Sequence, residues 1–324
     1  MLPKLKSINR RNKILITGVA GFIGSNLAHF LLSKGYFIKG IDNLSYGVKQ
    51  QIPENVELNK MDICSEKIID LFEDIDIVFH FAAKNCISDC QSDPFETAKI
   101  NVLGTVNVLE ACKKNNVKKV IIAESSAIYE GCDLFPTPEE NESPQSFYAI
   151  SKLCGKLFTK GYINSLSMNI AALRYFNVYG PRQDYRRTIP PLMSGIIIKL
   201  LKGERPIIYG DGTKRRDFVY VDDVNRFHEM IMFEKKSNGK VYNLGSGVNY
   251  SVQEIYEAIE SVLRTGLKPI YRPDLPGEAF QNLANISKSE SLGWRPQVLI
   301  EEGIELSINY IRENVLNTKK LTSL

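Results

Sequence analysis

The chain of 324 residues is 44% hydrophobic and carries 41 basic against 37 acidic side chains, a net charge of +4. This length suffices for one large domain or two closely packed ones. The near balance of charge predicts no nucleic-acid partner. No stretch reaches the ~18 apolar residues of a membrane-spanning helix, and residues 1–12 lack the apolar core of a signal peptide. The basic residues at the start favour a flexible, solvated tail over 1–12, with binding to an anionic surface as the alternative.

Cysteine usage predicts a reducing compartment and no metal site. The six cysteines are scattered without a CxxC pair, and the chain has three histidines. Cys86 and Cys90 stand one helical turn apart, but two thiols do not make a metal site. We therefore expect reduced, buried thiols in a cytoplasmic protein.

Short apolar runs alternate with helical patterns along the first half of the chain. Residues 13–17 (KILIT) are typical of a buried strand, and the spacing of Ile23, Leu27 and Leu31 predicts a helix over 22–34 that Gly35 caps. The same patterns predict further strands at 36–41, 76–80, 120–123 and 169–174, and a helix at 101–114. Strands that alternate with helices form right-handed crossovers on a parallel sheet, so this half predicts a doubly wound α/β fold.

After about residue 176 the pattern changes. Prolines punctuate 181–206, a Gly-Asp-Gly turn follows at 210–212, and helices are predicted at 252–263 and 301–314. We expect a smaller second lobe over the carboxyl ends of the strands, where doubly wound sheets bind ligands.

Three glycines follow the first predicted strand, in the stretch 17–24 (TGVAGFIG). Gly18, Gly21 and Gly24 are spaced as in turns whose backbone approaches a pyrophosphate and whose next helix lies close to the sheet. Glycines often merely make a turn, but these stand between a predicted strand and a predicted helix. Phe22 and Ile23 begin that helix, whose N-terminus offers free N–H groups to phosphates. The pattern predicts a bound dinucleotide.

Asp42 follows the second predicted strand, about 20 residues after the glycines, where a carboxylate accepts bonds from the adenosine ribose hydroxyls. A carboxylate there repels a 2′-phosphate, so the pattern favours NAD over NADP. The alternative is that Asp42 and Asn43 are simple loop residues. Asp62 could bond the adenine amino group, or be a loop residue as well.

A candidate catalytic group comes next. Ser125 and Ser126 follow the predicted strand 120–123, and Tyr148 and Lys152 are spaced one helical turn apart. A nearby ammonium lowers the pKa of a phenol, ~10 when unperturbed, so that it acts as a base near neutral pH. Such a group, with a serine hydroxyl on the same oxygen, removes a proton from an alcohol while its carbon gives hydride to a nicotinamide. A Tyr-x-x-x-Lys pair alone is usually a solvated helix face, but the glycine turn and the strand-end serines make chance a poor explanation.

With these motifs the sequence resembles the extended short-chain dehydrogenase/reductase superfamily, in its nucleotide-sugar epimerase branch, over nearly the whole chain. The matching stretches are 17–24, 42–43, 62–63, 80–83, Asn101, 125–129, 148–152, 174–182 and 216–218. The resemblance implies a doubly wound parallel Rossmann sheet in an NAD-binding domain, 13–176. It also implies a smaller α/β substrate-binding lobe formed mainly by 177–324, some segments of which return to the first domain.

The resemblance assigns roles to individual residues. It implies a catalytic group of Ser125, Tyr148 and Lys152, with Tyr148 and Lys152 also on the cofactor. Further cofactor contacts that it implies are Asn43, Asp62, Ile63, Phe81, Ala82, Ala83, Lys84, Asn101 and Tyr175. Further substrate contacts that it implies are Asn177 and Arg216 on the diphosphate, Glu278 on the uridine ribose, Tyr209 beside the base, and Lys84, Ser126 and Asn282.

The sequence departs from the branch at several positions. Relatives that eliminate water or carbon dioxide carry Asp-Glu or Glu where this chain has Ser126 and Ala127. This departure disfavours dehydration and, less strongly, decarboxylation. The serines usual in the loop after 80–83 are replaced by Cys86 and Cys90.

Two further positions concern the substrate. An arginine usual on the diphosphate is Leu275 here, and Arg272 is a candidate to replace it. Asn282 stands five places after Gly277, where a tyrosine in related epimerases tends to exclude N-acetyl groups and a smaller residue admits them. The alternative is that Asn282 only pairs with backbone at a strand edge.

We therefore expect a UDP-sugar 4-epimerase that interconverts UDP-glucose and UDP-galactose, and also their N-acetylated forms, through a 4-keto intermediate and bound NAD. The alternatives are a UDP-glucuronate 4-epimerase or decarboxylase, another nucleotide-sugar dehydrogenase or reductase, and a non-catalytic dinucleotide-binding protein. The resemblance also implies a homodimer, in which the helix over 101–114 and the helix that carries Tyr148 form a four-helix bundle with their symmetry mates.

Overall fold

The computed structural model describes residues 12–186, 190–274 and 279–316. Nearly all of the predicted basic tail lies outside these residues, as do Leu275, Gly277 and Glu278. None of the helices in the described ranges combines the length and the apolar character that a bilayer crossing needs.

The described elements alternate along the chain. The strands are β1 (Lys13–Thr17), β2 (Phe37–Asp42), β3 (Glu57–Lys60), β4 (Ile77–His80), β5 (Lys119–Ser125), β6 (Ile170–Tyr175), β7 (Asn177–Tyr179), β8 (Ile207–Tyr209), β9 (Arg215–Tyr220), β10 (Val241–Leu244), β11 (Asn249–Ser251) and β12 (Ile270–Arg272). The helices are α1 (Phe22–Ser33), α2 (Ile87–Ser92), α3 (Pro94–Ala98), α4 (Thr105–Lys114), α5 (Phe147–Leu166), α6 (Leu192–Leu201), α7 (Val221–Phe233), α8 (Val252–Leu263), α9 (Ser287–Glu290) and α10 (Ile300–Ile311).

A seven-stranded sheet in the order β10-β6-β5-β4-β1-β2-β3 forms the centre, and every neighbouring pair in it is parallel. Its strands consist largely of apolar residues, because helices cover both faces of the sheet. Ile14 and Ile16 of β1 pack on one side with Leu27 of α1, whereas Leu15 packs on the other with Val108 of α4. Each such buried side chain contributes ~1.5–3 kcal/mol. The predicted doubly wound fold is confirmed.

The second lobe holds two small sheets and its own core. Its sheets are β11-β9-β7 and β12-β8, and its core brings together Ile197 of α6, Ile255 of α8 and Ile304 of α10. The chain then returns, because β10 pairs in parallel with β6 at the edge of the central sheet. α7 also leaves the lobe and packs against α1.

Several element boundaries differ from the prediction. α1 ends at Ser33, and Gly35, at φ +85°, follows the Lys34 cap in the left-handed conformation that favours glycine. The predicted helix over 101–114 is a π-helical turn, Lys99–Gly104, followed by α4, a distinction that apolar periodicity does not make. The edge strand β3 was not predicted, since its largely exposed polar residues carry no apolar run.

Candidate active site

A cleft of about 1720 Å³ opens at the carboxyl ends of the central strands, and residues of the second lobe form its far wall. Most of the predicted site residues line it: Gly18, Gly21, Phe22, Ile23, Gly24, Asp42, Asn43, Asp62, Ile63, Phe81, Ala82, Ala83, Lys84, Ser125, Ser126, Tyr148, Lys152, Tyr175, Asn177, Tyr209, Arg216 and Asn282. Two predicted residues differ. Glu278 lies outside the described residues, and Asn101 lies behind the wall.

The glycine turn leaves no room for side chains. A Cβ on Gly24 would stand 2.2 Å from the carbonyl oxygen of Gly18, and one on Gly18, which has φ +73°, would stand 2.7 Å from the amide nitrogen of Ala82. Gly21 precedes α1 without a side-chain cap, and the first turn of α1 carries no acidic residue. The N-terminus of α1 is therefore built to receive an anion from the cleft.

Asp42 ends β2 and orders the backbone around it. Its Oδ2 accepts a hydrogen bond from the Ala20 amide (2.9 Å) and its Oδ1 one from the Leu44 amide (2.8 Å). Burial raises the pKa of this carboxyl, although both amide bonds act in the opposite direction. A carboxylate has about four acceptor positions, so two stay available to ribose hydroxyls.

Asn43 and Asp62 form one hydrogen-bonded unit beside Asp42. Asn43 Nδ2 donates to Asp62 Oδ2 (2.8 Å), and the Cys64 amide donates to Asp62 Oδ1 (2.8 Å). Burial alone would raise the pKa of Asp62, but these bonds outweigh it and lower the pKa. Asp62 therefore stays a charged acceptor at this end of the cleft.

The catalytic candidates come from β5 and α5. Ser125 is the last residue of β5, and its Oγ accepts from the Ala127 amide (3.2 Å). Tyr148 and Lys152 lie one turn apart near the start of α5, and Lys152 Nζ donates to the Ala123 carbonyl (3.0 Å). Burial lowers the pKa of Lys152 to about 8. All three predicted residues therefore line the cleft, Ser125 from the end of β5 and the other two from the start of α5.

Glu130, which the motifs did not reveal, anchors the start of α5. Its carboxylate accepts from the Ser146 amide (2.8 Å), from Ser146 Oγ (3.0 Å) and from the Gln145 amide (3.2 Å). Ser146 caps α5 by accepting from the Ala149 amide (3.1 Å). A serine before a helix is a recognisable cap, but its pairing with Glu130 has no signal in the sequence.

Asn101, which the resemblance assigns to the cofactor, is not among the residues that line the cleft. It is buried, and its Nδ2 donates to the Lys84 carbonyl (2.9 Å) and to Ser151 Oγ (2.9 Å), while its Oδ1 accepts from the Lys84 amide (2.8 Å). Both polar atoms of the Asn101 side chain therefore bond to the backbone of Lys84. Asn101 therefore shapes the cleft through Lys84 and does not face it.

An aromatic group forms the floor below the glycine turn. Tyr175 donates or accepts a 2.7 Å hydrogen bond with Nε2 of buried His228, and both rings pack against Phe81. Burial lowers the pKa of His228 to about 3. The pKa of His80 is likewise lowered to about 3, mainly by burial. Both imidazoles are therefore neutral at physiological pH.

The second lobe contributes a network of amides. Asn282 Oδ1 accepts from the Asp217 amide (2.8 Å) and from Asn177 Nδ2 (3.2 Å), and Asn177 Nδ2 also donates to the Asp217 carbonyl (2.9 Å). Asn282 thus pairs with the backbone of β9, the middle strand of its sheet, and lines the cleft as well. Arg216 also lines the cleft, with Nη1 donating to the Phe280 carbonyl (3.2 Å). Arg272, the suggested replacement on the diphosphate, is exposed on β12 beside Tyr209.

A sequence model of the NAD dependent epimerase/dehydratase family matches residues 14–245, well over half of the chain. The chain belongs to this family. The cofactor of this family member is NAD, and the tight glycine turn, the uncapped N-terminus of α1 and the carboxylate of Asp42 fit that dinucleotide.

Several proteins similar to this family member are UDP-sugar 4-epimerases. It is 32% identical to the UDP-glucose 4-epimerase of Mycolicibacterium smegmatis, over 93% of its own length and 98% of that protein. The UDP-glucose 4-epimerase of Thermotoga maritima with UDP-glucose has 33% identity and a TM-score of 0.90, covering 94% and 99% of the two chains. The UDP-N-acetylglucosamine 4-epimerase of Methanobrevibacter ruminantium, in complex with UDP-N-acetylmuramic acid, has 31% identity and a TM-score of 0.90 over the same shares.

The cysteines of this family member differ in part from the expectation. All six are free thiols, but burial is complete only for Cys90 and Cys112, and Cys64, Cys86, Cys132 and Cys154 are partly exposed. Cys86 lines the cleft, whereas Cys90 Sγ points to the Lys84 carbonyl at 3.4 Å. Of the two departures from serine, Cys86 therefore lies just before α2 and Cys90 lies within it.

Proposed function

We propose that this protein is a UDP-sugar 4-epimerase that interconverts UDP-glucose and UDP-galactose through a 4-keto intermediate. The observation that carries the proposal is the position of Ser125, Tyr148 and Lys152 in the same cleft as the glycine turn. In this proposal, the cofactor-binding half and the proton-transferring group act on one substrate carbon.

The residues divide the work as follows. The glycine turn and the N-terminus of α1 would hold the NAD diphosphate, Asp42 the adenosine ribose and Lys152 the nicotinamide ribose. Bound there, NAD would supply the hydride acceptor and donor for the sugar C4. Tyr148, as phenolate, takes the proton of the 4-hydroxyl with Ser125 bonded to the same oxygen, and gives it back after the 4-keto sugar has turned over. The ammonium of Lys152 stabilises the phenolate.

The acids near the trio favour isomerisation over elimination. Dehydration needs an acid and a base beside the sugar, and Ser126 and Ala127 stand where relatives carry them. Two carboxylates line this part of the cleft and each has another partner: Glu124 accepts from Arg174 through Oε2, and Glu130 accepts from the start of α5. No net oxidation follows from such a site, so NAD should stay bound between turnovers.

The test is to incubate the purified protein, without added cofactor, with UDP-glucose, UDP-N-acetylglucosamine and UDP-glucuronate. We expect NMR to reveal the 4-epimers of the first two sugars. Accumulation of NADH with added NAD⁺ would instead identify a dehydrogenase, and turnover of UDP-glucuronate alone would identify the uronate branch.

We also propose that Asn282 admits N-acetylated sugars. Asn282→Tyr should lose turnover of UDP-N-acetylglucosamine selectively, because a bulky side chain excludes a substituent more cheaply than attraction selects it. Asn282→Ala is the matched control, since it also removes the bonds to Asp217 and Asn177 but adds no bulk. Equal losses in both variants, or no wild-type activity on the N-acetylated sugar, would remove Asn282 from this role.

A homodimer is the third proposal. Exposed apolar side chains on α5, among them Ile150, Leu157 and Phe158, support burial against a second copy. Sedimentation should give about twice the chain mass of 36.6 kDa. A single species of the chain mass at micromolar concentration would contradict the proposal.

A cytoplasmic location is the last proposal, and the free state of all six cysteines supports it. Fractionation of the source cells should recover the protein with the cytosol. Recovery in a secreted fraction would contradict it.

A further inference from the structure

A buried carboxylate lies directly behind the catalytic residues. Glu124, next to Ser125 on β5, accepts at Oε2 a 2.6 Å hydrogen bond from Nε of Arg174, its register partner on β6. Its other oxygen, Oε1, is buried and has no hydrogen-bond partner among the described residues. Glu124 also forms part of the cleft wall. Because an unbonded buried carboxylate oxygen costs stability, its presence calls for a function.

The other two guanidinium nitrogens of Arg174 have hydrogen-bond partners apart from Glu124. Its Nη1 donates to the Tyr129 hydroxyl (2.7 Å) and to the Glu139 carbonyl (2.7 Å), and its Nη2 pairs with Glu142. Glu142 in turn pairs with Lys156 on α5. Each of the three guanidinium nitrogens therefore has a partner, Glu124 contributes only Oε2 to this network, and Oε1 of Glu124 takes no part in it.

A negative charge near Lys152 would stabilise its buried ammonium group. The Nζ of Lys152 donates to the carbonyl of Ala123 (3.0 Å), the residue before Glu124 on β5, so the ammonium lies beside this end of the strand. Burial lowers the pKa of Lys152, and the charge of Glu124 acts in the opposite direction and raises it. The other titratable groups that face Lys152 from packed elements are Cys90 on α2 and His80 on β4. Burial raises the pKa of the Cys90 thiol and lowers that of His80 to about 3, so both are neutral near pH 7. Of these groups, Glu124 carries the counter-charge.

We propose that Glu124 is a positioning residue of the catalytic centre, whose carboxylate keeps Lys152 in the ammonium form beside Tyr148. The inference rests on the proposed function, because it acts through the lysine that stabilises the Tyr148 phenolate. An anchor for Arg174 alone would account for Oε2, but not for the unbonded Oε1 or for the place of Glu124 in the cleft wall.

The first test is the pH profile of kcat/KM for UDP-glucose. Glu124→Gln should move the alkaline limb to lower pH by about one unit, because the lysine loses its proton earlier without the opposite charge. Glu124→Asp retains the charge and should stay close to the wild-type profile. Glu142→Gln is the matched control: it removes another carboxylate from Arg174 and should lower stability without moving the limb.

The second test needs neither substrate nor added cofactor. The advantage of wild type over Glu124→Gln in unfolding free energy should shrink as pH rises through about 8, where Lys152 becomes neutral and the attraction ends. The advantage over Glu142→Gln should not change there. Glu124→Ser, a second neutral variant, repeats both measurements with a different side-chain volume.

Failure of the two proposals can be told apart. Absence of 4-epimers with wild-type protein would overturn the proposed function, and the stability measurement would still decide the role of Glu124. The role of Glu124 would be overturned if the alkaline limb of the kcat/KM profile stayed in place in Glu124→Gln. It would also be overturned if the difference in unfolding free energy between wild type and Glu124→Gln did not depend on pH. If neither neutral variant folds while Glu124→Asp folds with the wild-type profile, Glu124 is an anchor for Arg174 and the proposal fails.

Discussion

The two halves of the cleft are built in different ways. The cofactor half depends on backbone: Gly18, Gly21 and Gly24 lie within one turn, and their missing side chains create the site. The substrate half depends on side chains from distant segments, since Asn177 and Asn282 are 105 residues apart and meet at Asp217. The comparison teaches that the first half is encoded locally and the second is held by a few buried polar side chains. Changes in either half should therefore have separable effects.

The largest effect is expected where the two halves meet. Tyr148→Phe should lower kcat by ~10²–10⁴-fold, because a general base contributes a factor of that size. The variant should keep its fold and its bound NAD, which release from denatured protein will measure. A variant with a third of the wild-type rate would show that Tyr148 is not the base.

The next largest effect is expected in the substrate half. Asp217 is buried and accepts from the Ser246 amide (2.6 Å), Ser246 Oγ (2.8 Å), the Gly247 amide (3.1 Å) and the Ala284 amide (3.0 Å). Asp217→Ala leaves these donors unpaired and should cost about 3 kcal/mol of unfolding free energy. Asp211→Ala, in an exposed turn, should stay within about 0.5 kcal/mol. Equal losses in chemical denaturation would contradict the network.

The cofactor half should respond to added bulk. Gly24→Ala brings a Cβ to 2.2 Å from the Gly18 carbonyl and should cost about 2 kcal/mol and weaken NAD retention. In Gly155→Ala the nearest atom is 3.6 Å away, so stability should hold or rise by up to about 1 kcal/mol. Calorimetry and NAD content measure both. Unchanged NAD content in Gly24→Ala would break the link between the tight turn and the cofactor.

The smallest effect concerns acid. His228 has a pKa of about 3 in the folded protein and about 6.5 when unfolded, so below pH 6.5 the unfolded chain binds the extra proton. Its contribution to stability is present above pH 6.5 and is lost as pH falls towards 3, by up to ~1.4 kcal/mol per pH unit. His228→Gln should therefore flatten the decline of unfolding free energy between pH 6.5 and 5. Parallel curves for the two proteins would show that His228 is not held neutral.

Predictions from sequence succeeded where a structural element is specified by residues close together in the chain. The bounds predicted for β1 and α8 match the structure, because an apolar run and an apolar helical period are local signals. The polar edge strand β3 and the π-helical turn before α4 were missed, since their conformations depend on what they pack against. The family resemblance implies a cofactor contact for Asn101, but its hydrogen bonds to Lys84 and Ser151 are set by the fold and have no signal in the sequence.

The sequence by itself determined the doubly wound sheet, the glycine turn and the spacing of Tyr148 and Lys152, because each is written within a few residues of one segment. The tertiary structure decided which charges surround them. Glu124 and Arg174 are 50 residues apart and meet only because β5 and β6 are neighbouring parallel strands. Glu130 reaches Ser146 across a loop. Contacts of this kind follow from packing and burial, which bring together side chains that are far apart in the chain. Their spacing in the sequence therefore does not predict that they meet.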